Sequence, residues 1–496
     1  MALTRLPTEL LENIIMHTLP EGFESAALTC KKIHAICTPF VHNHSTLRSR
    51  FHNFNYYENT LDMIKTIRTA FDVITRIAVE PVVARYIRYA DFEMDSFFCR
   101  GRPREWLADA HCGGAVLRLL ADSPHLKQAG LDWQDFYAKI EEDLHAHRYS
   151  QHAAVFLMTL LPNIETLALP KRWKPLDATD KLIDAIVRMA NQSQIPDDRP
   201  SLAQVTRFGP SVSLVPQDRF DLDWVNPFLA LPHVRSFRGP SCVAIGDDGH
   251  KNIASNIREG GFGKTLTVVD LVACCIDEVG IADFLQHTTR LRTLRYSHVT
   301  KAHSGPREWN ICKFIAAIER AVGSHLEELS VFIRDLRGPI APGKVSMRGF
   351  EQLRKLEFPL EIAACNITVA TACRAATTPN KPLMIGGGST DEHHELDDDK
   401  PFISDLVPAS VSRLSLVSGG TDDHAKTLDV MFRHFAVKKE SILPALKEIR
   451  MSCPTSADEA YKEQCARLLA ETEKVGVVSH VDRWPSSVSI TWDVDL

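Results

Sequence analysis

Three stretches of this sequence carry residue types that could do chemistry. The segment REGGFGKT (258–265) suggests a phosphate-binding loop. Such a loop needs G-x-x-x-x-G-K-[ST] between a strand and a helix, so that its first glycine can turn backbone N–H groups around the phosphates. Here Arg258 holds the first position, and the apolar run Thr265–Ile276 that follows reads as a strand. A turn before a strand is expected, not a nucleotide site. His393 and His394 lie among Glu392, Glu395 and Asp397–Asp399, which could together contact a metal. Structural zinc sites take spaced ligands on a framework, commonly with cysteine, whereas a continuous acidic run is ordinarily solvated. Cys274 and Cys275 end an apolar run. Neighbours on a strand point to opposite faces, so they make poor joint ligands and buried thiols are expected. No G-x-S-x-G elbow or H-E-x-x-H helix occurs. Catalytic residues, cofactors and metal ligands are therefore expected to be absent.

The bulk numbers narrow the class further. A chain of 496 residues exceeds what one hydrophobic core normally serves, so several domains or an elongated repeat array are expected. The net charge of -6 provides no bulk basic field for nucleic acid or an anionic membrane. The seven tryptophans (106, 133, 173, 224, 309, 484 and 492) then read as packing residues, not stacking platforms for bases. Twelve cysteines form no C-x-x-C pair, which fits reduced, buried thiols and a cytoplasmic or nuclear protein. MALTRLPTELLENII lacks a basic segment followed by an apolar one, so no secretory signal is expected. The longest apolar stretches, near Ala153–Leu161 and Leu266–Ile276, are about half of what a membrane helix needs.

The elements that would position any site follow from hydrophobic spacing. Pro7 and Glu9 suit the first turn of a helix. Leu6, Leu10, Leu11, Ile14 and Ile15 then sweep about half its circumference. A second helix is expected from near Glu24 to a stop at Pro39, with Leu28 and Ile33 holding the two together. Two such helices are too small to stand alone, so their surplus apolar surface must be covered by the rest of the chain or by a partner. Residues 46–80 read as a helical linker through Leu61, Ile64, Ile67, Phe71 and Ile74, and Glu80–Phe92 as a strand. Further helices are expected at 104–121, 133–148, 150–161, 178–191, 309–322, 424–437 and 456–474.

One phrase recurs between the helices. LPNIETLAL (161–169), LPHVRSFRG (231–239) and LPALKEIRM (443–451) share Leu-Pro and the same later apolar positions, and five related phrases lack the proline. Seven of the eight carry an apolar pair two residues apart: Leu167/Leu169, Val269/Leu271, Leu294/Tyr296, Leu329/Val331, Leu356/Phe358, Leu414/Leu416 and Ile449/Met451. Both members of a pair would point inward from one strand. Helix and strand repeated at intervals of about 25 to 35 residues describe an α/β, leucine-rich-repeat-like solenoid over 81–496. Residues between the inward pairs would face out, which makes Asp270, Arg295, Glu357 and Arg450 candidate contacts for a target. TTPNKPLMIGGGSTDEHHELDDDK (377–400) reads as a surface loop inserted in the array.

The first 45 residues resemble the F-box motif, particularly that of fungal F-box proteins. Leu6-Pro7, Glu9-Leu10, Ile14, Leu19, Ala26–Leu28 and Cys30-Lys31-Lys32 carry the resemblance, and ICTPFVHNHSTLRSRF is similar to the run that follows it there. The family often has an aromatic residue where this chain has Ile33. The resemblance implies that these helices dock on the Skp-type adaptor of a Skp–cullin–F-box ubiquitin ligase through Leu6, Pro7, Leu10, Ile14 and Ile15. It implies a non-catalytic role, in which the repeat region holds a protein target while a separate enzyme transfers ubiquitin. The alternative is an interaction scaffold of the same architecture without ligase activity. An enzyme concealed in the repeats would announce itself by a deep pocket of convergent polar groups.

Overall fold

The computed structural model describes residues 3–56, 67–96, 114–192, 200–210, 219–246, 262–302, 306–377 and 403–482. Among these the recurring apolar pairs behave as side chains on a strand must. Leu167/Leu169, Val269/Leu271, Leu294/Tyr296, Leu329/Val331, Leu356/Phe358, Leu414/Leu416 and Ile449/Met451 are all buried. Each leucine or isoleucine so placed contributes about 1.5–3 kcal/mol of hydrophobic stabilisation.

The described strands are β1 (Asn53–Asn55), β2 (Tyr89–Asp91), β3 (Thr166–Leu169), β4 (Arg207–Pro210), β5 (Phe220–Asp221), β6 (Ser236–Pro240) and β7 (Cys242–Ala244). They continue as β8 (Val268–Ile276), β9 (Thr293–Val299), β10 (Glu328–Asp335), β11 (Lys355–Pro359), β12 (Arg413–Val417), β13 (Glu448–Ser452) and β14 (Val478–Asp482). The chain forms two compact units, the first centred on Met1–Val212 with Trp224–Arg238, the second on Leu266–Leu496.

In the first unit β1, β2, β3, β4 and β6 pair in that order, all parallel. Its helices are α1 (Thr8–Thr18), α2 (Phe23–Ala27), α3 (Lys31–Phe51), α4 (Ala70–Val79), α5 (Val82–Tyr86) and α6 (Ala115–Ala121). They continue as α7 (Pro124–Ala129), α8 (Trp133–His145), α9 (Gln151–Met158), α10 (Asp177–Gln192) and α11 (Asn226–Leu229). Gly209 on β4 lies so close to the Arg238 carbonyl that a β-carbon there would collide with it. That approach requires glycine.

In the second unit each strand from β8 to β14 pairs in parallel with the next, while β7 flanks β8 and β5 flanks β7. Parallel neighbours cannot be joined by a tight turn, so a crossover must intervene. Between β10 and β11 the crossover is an irregular segment, 336–354; elsewhere helices supply it: α12 (Glu278–Leu285), α13 (Ile311–Val322), α14 (Leu360–Thr377), α15 (Ile403–Leu406), α16 (Asp422–Met431), α17 (Phe435–Ile442) and α18 (Glu459–Lys474). Polar side chains start three of them. Asp277 accepts from the Val279 and Gly280 N–H groups, Asn310 from Lys313 N–H and Thr421 from His424 N–H. Each such cap contributes about 1 kcal/mol. The inward face of α13 carries Ile311, Phe314, Ile315, Ile318 and Val322, all buried, and α13 packs on α12 and α14.

Several expectations need correction. The helix expected to stop at Pro39 runs on as α3 to Phe51, with Pro39 inside it. An interior proline costs about 3 kcal/mol, but Ile33, Cys37, His44, Leu47 and Phe51 are buried along α3 on both sides of it, which outweighs that cost. The linker 46–80 is not continuous helix: it contains β1, and α4 begins only at Ala70 behind a Thr69–Asp72 capping box. Leu61 and Ile64 lie outside the described residues, as do 378–400, with the His393–Asp399 cluster, and Arg258–Gly261. Glu80–Phe92 is mostly not strand, since α5 occupies Val82–Tyr86 and only Tyr89–Asp91 extends. The apolar Val83 and Ala84 side chains pack into the unit's interior and override the β propensity of the run. Among the described residues no helix is long and apolar enough to cross a membrane.

Among the polar residues buried in the first unit is Asp95. The Asp95 carboxylate accepts the Ala70 N–H at 2.9 Å, at the start of α4. Burial pushes its pKa from 3.8 to about 8, against the opposing pull of that hydrogen bond. The folded protein thus keeps a proton that the unfolded chain releases from about pH 4 upward. Stability from this group is therefore complete at low pH and lost as pH rises towards 8. Asp95→Asn keeps the acceptor oxygen without the charge. Thermal melts of both proteins from pH 5 to 9 should show the variant gaining on its parent up to about pH 8 and then levelling; parallel melting curves would remove this account of Asp95.

Candidate functional site

The first candidate surface is built by the N-terminal helices. Leu11 and Ile15 of α1 point inward, and Ile15, Leu19, Phe23, Ile33 and Cys37 form a core against which Val82 of α5 packs. Ile33, in the slot the F-box family often fills with an aromatic residue, is buried there. Polar contacts fasten this core to the rest of the first unit. Asn163 donates to Glu21 and, at 2.8 Å, to the Arg85 carbonyl, while Arg85 pairs with Glu21 at 3.3 Å. His44 contacts the Tyr86 hydroxyl at 2.7 Å.

The adjoining stripe of α1 stays open. Leu10 is 49% exposed and Ile14 37%, and Leu28, just after α2, is 84% exposed. Pro7 is exposed and Leu6 half-buried. Two expectations fail here. Ile15 is only 2% exposed and belongs to the internal core, so it cannot be a docking contact. Leu28 does not hold the helices together; it faces outward, while Ile33 does the internal packing. The hundred-degree step of a helix separates Leu10 and Ile14 from Leu11 and Ile15, yet the sequence does not say which pair meets the chain's own core.

The second candidate surface is the outward face of the second unit's sheet. Parallel register places Asp270, Arg295, Ser330, Glu357, Ser415, Arg450 and His480 in one row across β8 to β14. All four residues expected from sequence fall in it. Asp270 nevertheless has only 4% of its surface exposed and lies 3.5 Å from Arg295, so it is a supporting group and not an open contact. Arg295 also meets Glu328 at 2.9 Å, and Lys355 approaches the same carboxylate at 3.4 Å. Arg413 and Arg450 converge on Glu448, each at 2.6 Å. Burial raises the Glu448 carboxyl, but these two guanidinium groups hold it below its ordinary value.

Between these pairs the face sinks into a cavity of about 270 Å³ lined by Ser330, Glu357, Ser415, Arg450, Ser452 and Asp482, among others. Glu357 accepts a hydrogen bond from the Ser330 hydroxyl. Burial pushes its carboxyl up, opposed by that hydrogen bond. The serines were missed because charge alone marked candidates. The signal was present: Leu-Ser-Val at 329–331 and Leu-Ser-Leu at 414–416 put serine in the slot that Glu357 and Arg450 occupy on their own strands.

A second cavity, of about 340 Å³, opens beyond the ends of β8 and β9 beside Asp277, His298, Trp309 and Lys313. Open parallel sheets often bind small molecules in such places. Several of its polar groups serve structure instead. Asp277 and Asn310 cap helices, and the His298 ring stacks on Trp309 at 4.0 Å. Burial, with nearby Lys301, lowers the His298 pKa to about 3. Burial raises the Cys275 thiol, the opposite of what a nucleophile requires. Among the described residues no group of three His, Cys, Asp or Glu side chains could hold a metal.

No known protein family matches this chain, and no curated protein does.

The division of α1 into two stripes has a direct consequence for stability. Ile15→Ala should destabilise the protein by about 2–5 kcal/mol, because it opens a cavity in the hairpin core. Leu10→Asp should change stability by less than about 0.5 kcal/mol, as an open position does. Urea unfolding of both variants checks this; equal losses would mean that α1 does not present its faces as described.

Proposed function

We propose that this chain is an F-box-type substrate adaptor, docking on a Skp-type protein through α1 and α2 and holding a protein target on the outward face of the second unit's sheet. The observation that carries the reading is the exposure of Leu10 and Ile14 on α1, and of Leu28 after α2, in a hairpin whose core residues are packed. A short α1 with apolar residues on both sides has more than the chain covers. Leu10 and Ile14 coincide with positions of the F-box resemblance, as do Leu6, Pro7 and Leu28. Exposed large apolar side chains such as these are what a partner's groove removes from water.

In the same reading the repeated strand–helix units of the second unit are a leucine-rich-repeat-like solenoid. Each unit contributes one strand whose inward pair builds the core and whose intervening residue faces out. Such arrays suit protein partners, because area and a few anchors supply the affinity. The chemistry follows from proximity: with the hairpin held by the ligase and the target held by the sheet, a separate enzyme transfers ubiquitin to a target lysine at a raised effective concentration. No acid, base or nucleophile of this chain takes part.

The test is co-purification of the full chain with the Skp-type adaptor of its own species, beside Leu10→Asp and Ile14→Asp. The parent should form a stable complex, and each variant should weaken it by at least about 30-fold, the loss of a central anchor worth 2 kcal/mol or more. Failure of the folded parent to bind would overturn the adaptor role.

A further inference from the structure

We infer that the cavity at Glu357 receives the basic side chain, lysine or arginine, of a bound protein segment, with Glu357 as its counter-charge. This rests on the reading of the outward sheet face as the target surface. It does not depend on the adaptor role of the hairpin.

Most charges around the cavity are already committed; among the described residues the carboxylates of Glu357 and Asp482 make no ion pair. Arg295 contacts Asp270 and Glu328, Lys355 contacts Glu328, and Arg413 and Arg450 both contact Glu448. Of the four carboxylates Asp270, Glu328, Glu357 and Glu448, only Glu357 makes no ion pair with a described residue. Its one direct partner is the neutral Ser330 hydroxyl. Arg295 and Arg450 act on it only through longer-range attraction. A half-buried carboxylate without a counter-ion loses hydration and receives little in return. A ligand cation repairs that deficit, whereas a ligand anion would add to it and would have to displace Glu448 from its arginines.

Position and size agree. Glu357 lies in the central row of the cavity, between Ser330 on β10 and Ser415 on β12, and the Asp482 carboxylate contributes to the wall. The cavity's volume of about 270 Å³ falls just below the roughly 300–1,000 Å³ typical of small-molecule sites. It suits a long side chain inserted from a segment lying on the surface. The serine hydroxyls can turn their lone pairs to an ammonium or guanidinium group, since a hydroxyl both donates and accepts.

The experiment is selection of a phage-displayed random heptapeptide library on the full chain, with Glu357→Gln selected in parallel. Peptides enriched on the parent should share Lys or Arg at one position. By fluorescence anisotropy, the best of them should bind Glu357→Gln at least about tenfold more weakly, equivalent to about 1.4 kcal/mol. Replacing its basic residue by citrulline or norleucine should cost the parent a similar factor and cost the variant little more. A consensus without a basic residue, or equal binding to parent and Glu357→Gln, would overturn the proposal.

An Arg413→Glu variant separates the two possible failures. Peptides that lack a basic anchor but lose affinity for Arg413→Glu would leave the sheet face as the target surface and refute only the role of Glu357. Peptides indifferent to both substitutions, or no consensus on the parent at all, would count against both. The melting temperature of Glu357→Gln should match the parent; if it does not, the citrulline substitution on the parent decides alone.

Discussion

Parallel register in the second unit is the constraint on which the rest depends. Five consecutive strands, β9 to β13, align so that Leu294, Leu329, Leu356, Leu414 and Ile449 occupy equivalent places. Because side chains alternate with period two, that single alignment places every inward pair in the core and every intervening polar residue in one outward row. A slip of one residue on any strand would drive Glu357 or Arg450 into the apolar layer. The burial of these leucines therefore stabilises the sheet and also assembles its polar face.

The polar face illustrates how a sheet arranges charge. Arginine and lysine on one strand reach carboxylates on the next, and Glu328 and Glu448 each collect two cations. Exposed pairs of this type contribute little to stability individually. Their consequence is to consume charge, so that the carboxylates left without a described ion pair, Glu357 and Asp482, stand out chemically. Opposite-signed neighbours along a row also suppress self-repulsion, so the face can be highly charged and close to neutral at once.

The N-terminal hairpin obeys a different rule. Its helices are too short to bury two apolar faces within themselves, so α5 and the Glu21–Arg85–Asn163 contacts take one face and leave the other. The proposed docking surface is what remains after the chain has met its own needs for burial. Pro39 shows the same hierarchy: a local helix breaker is overruled because α3 has a long face to bury.

The alternation of apolar and polar residues was enough to locate strands β8 to β13 of the second unit and the pairs that build its core, but not β5, β7 or β14. It also marked Arg295, Glu357 and Arg450 as outward, because period-two geometry is local and survives without knowledge of neighbours. Other features needed the tertiary structure. Nothing in α1 by itself says that Ile15 is inside and Leu10 outside, since both belong to one broad apolar sweep and the choice is made by Ile33, Phe23 and Val82. Asp270 reads like Glu357 in its own strand, but its nearness to Arg295 makes it a supporting group. The short helix at Val82–Tyr86 likewise answers to packing and not to β propensity. Local periodicity was legible because it repeats within a few residues; which charges remain unpaired, and which apolar face stays open, depends on residues far apart in the chain.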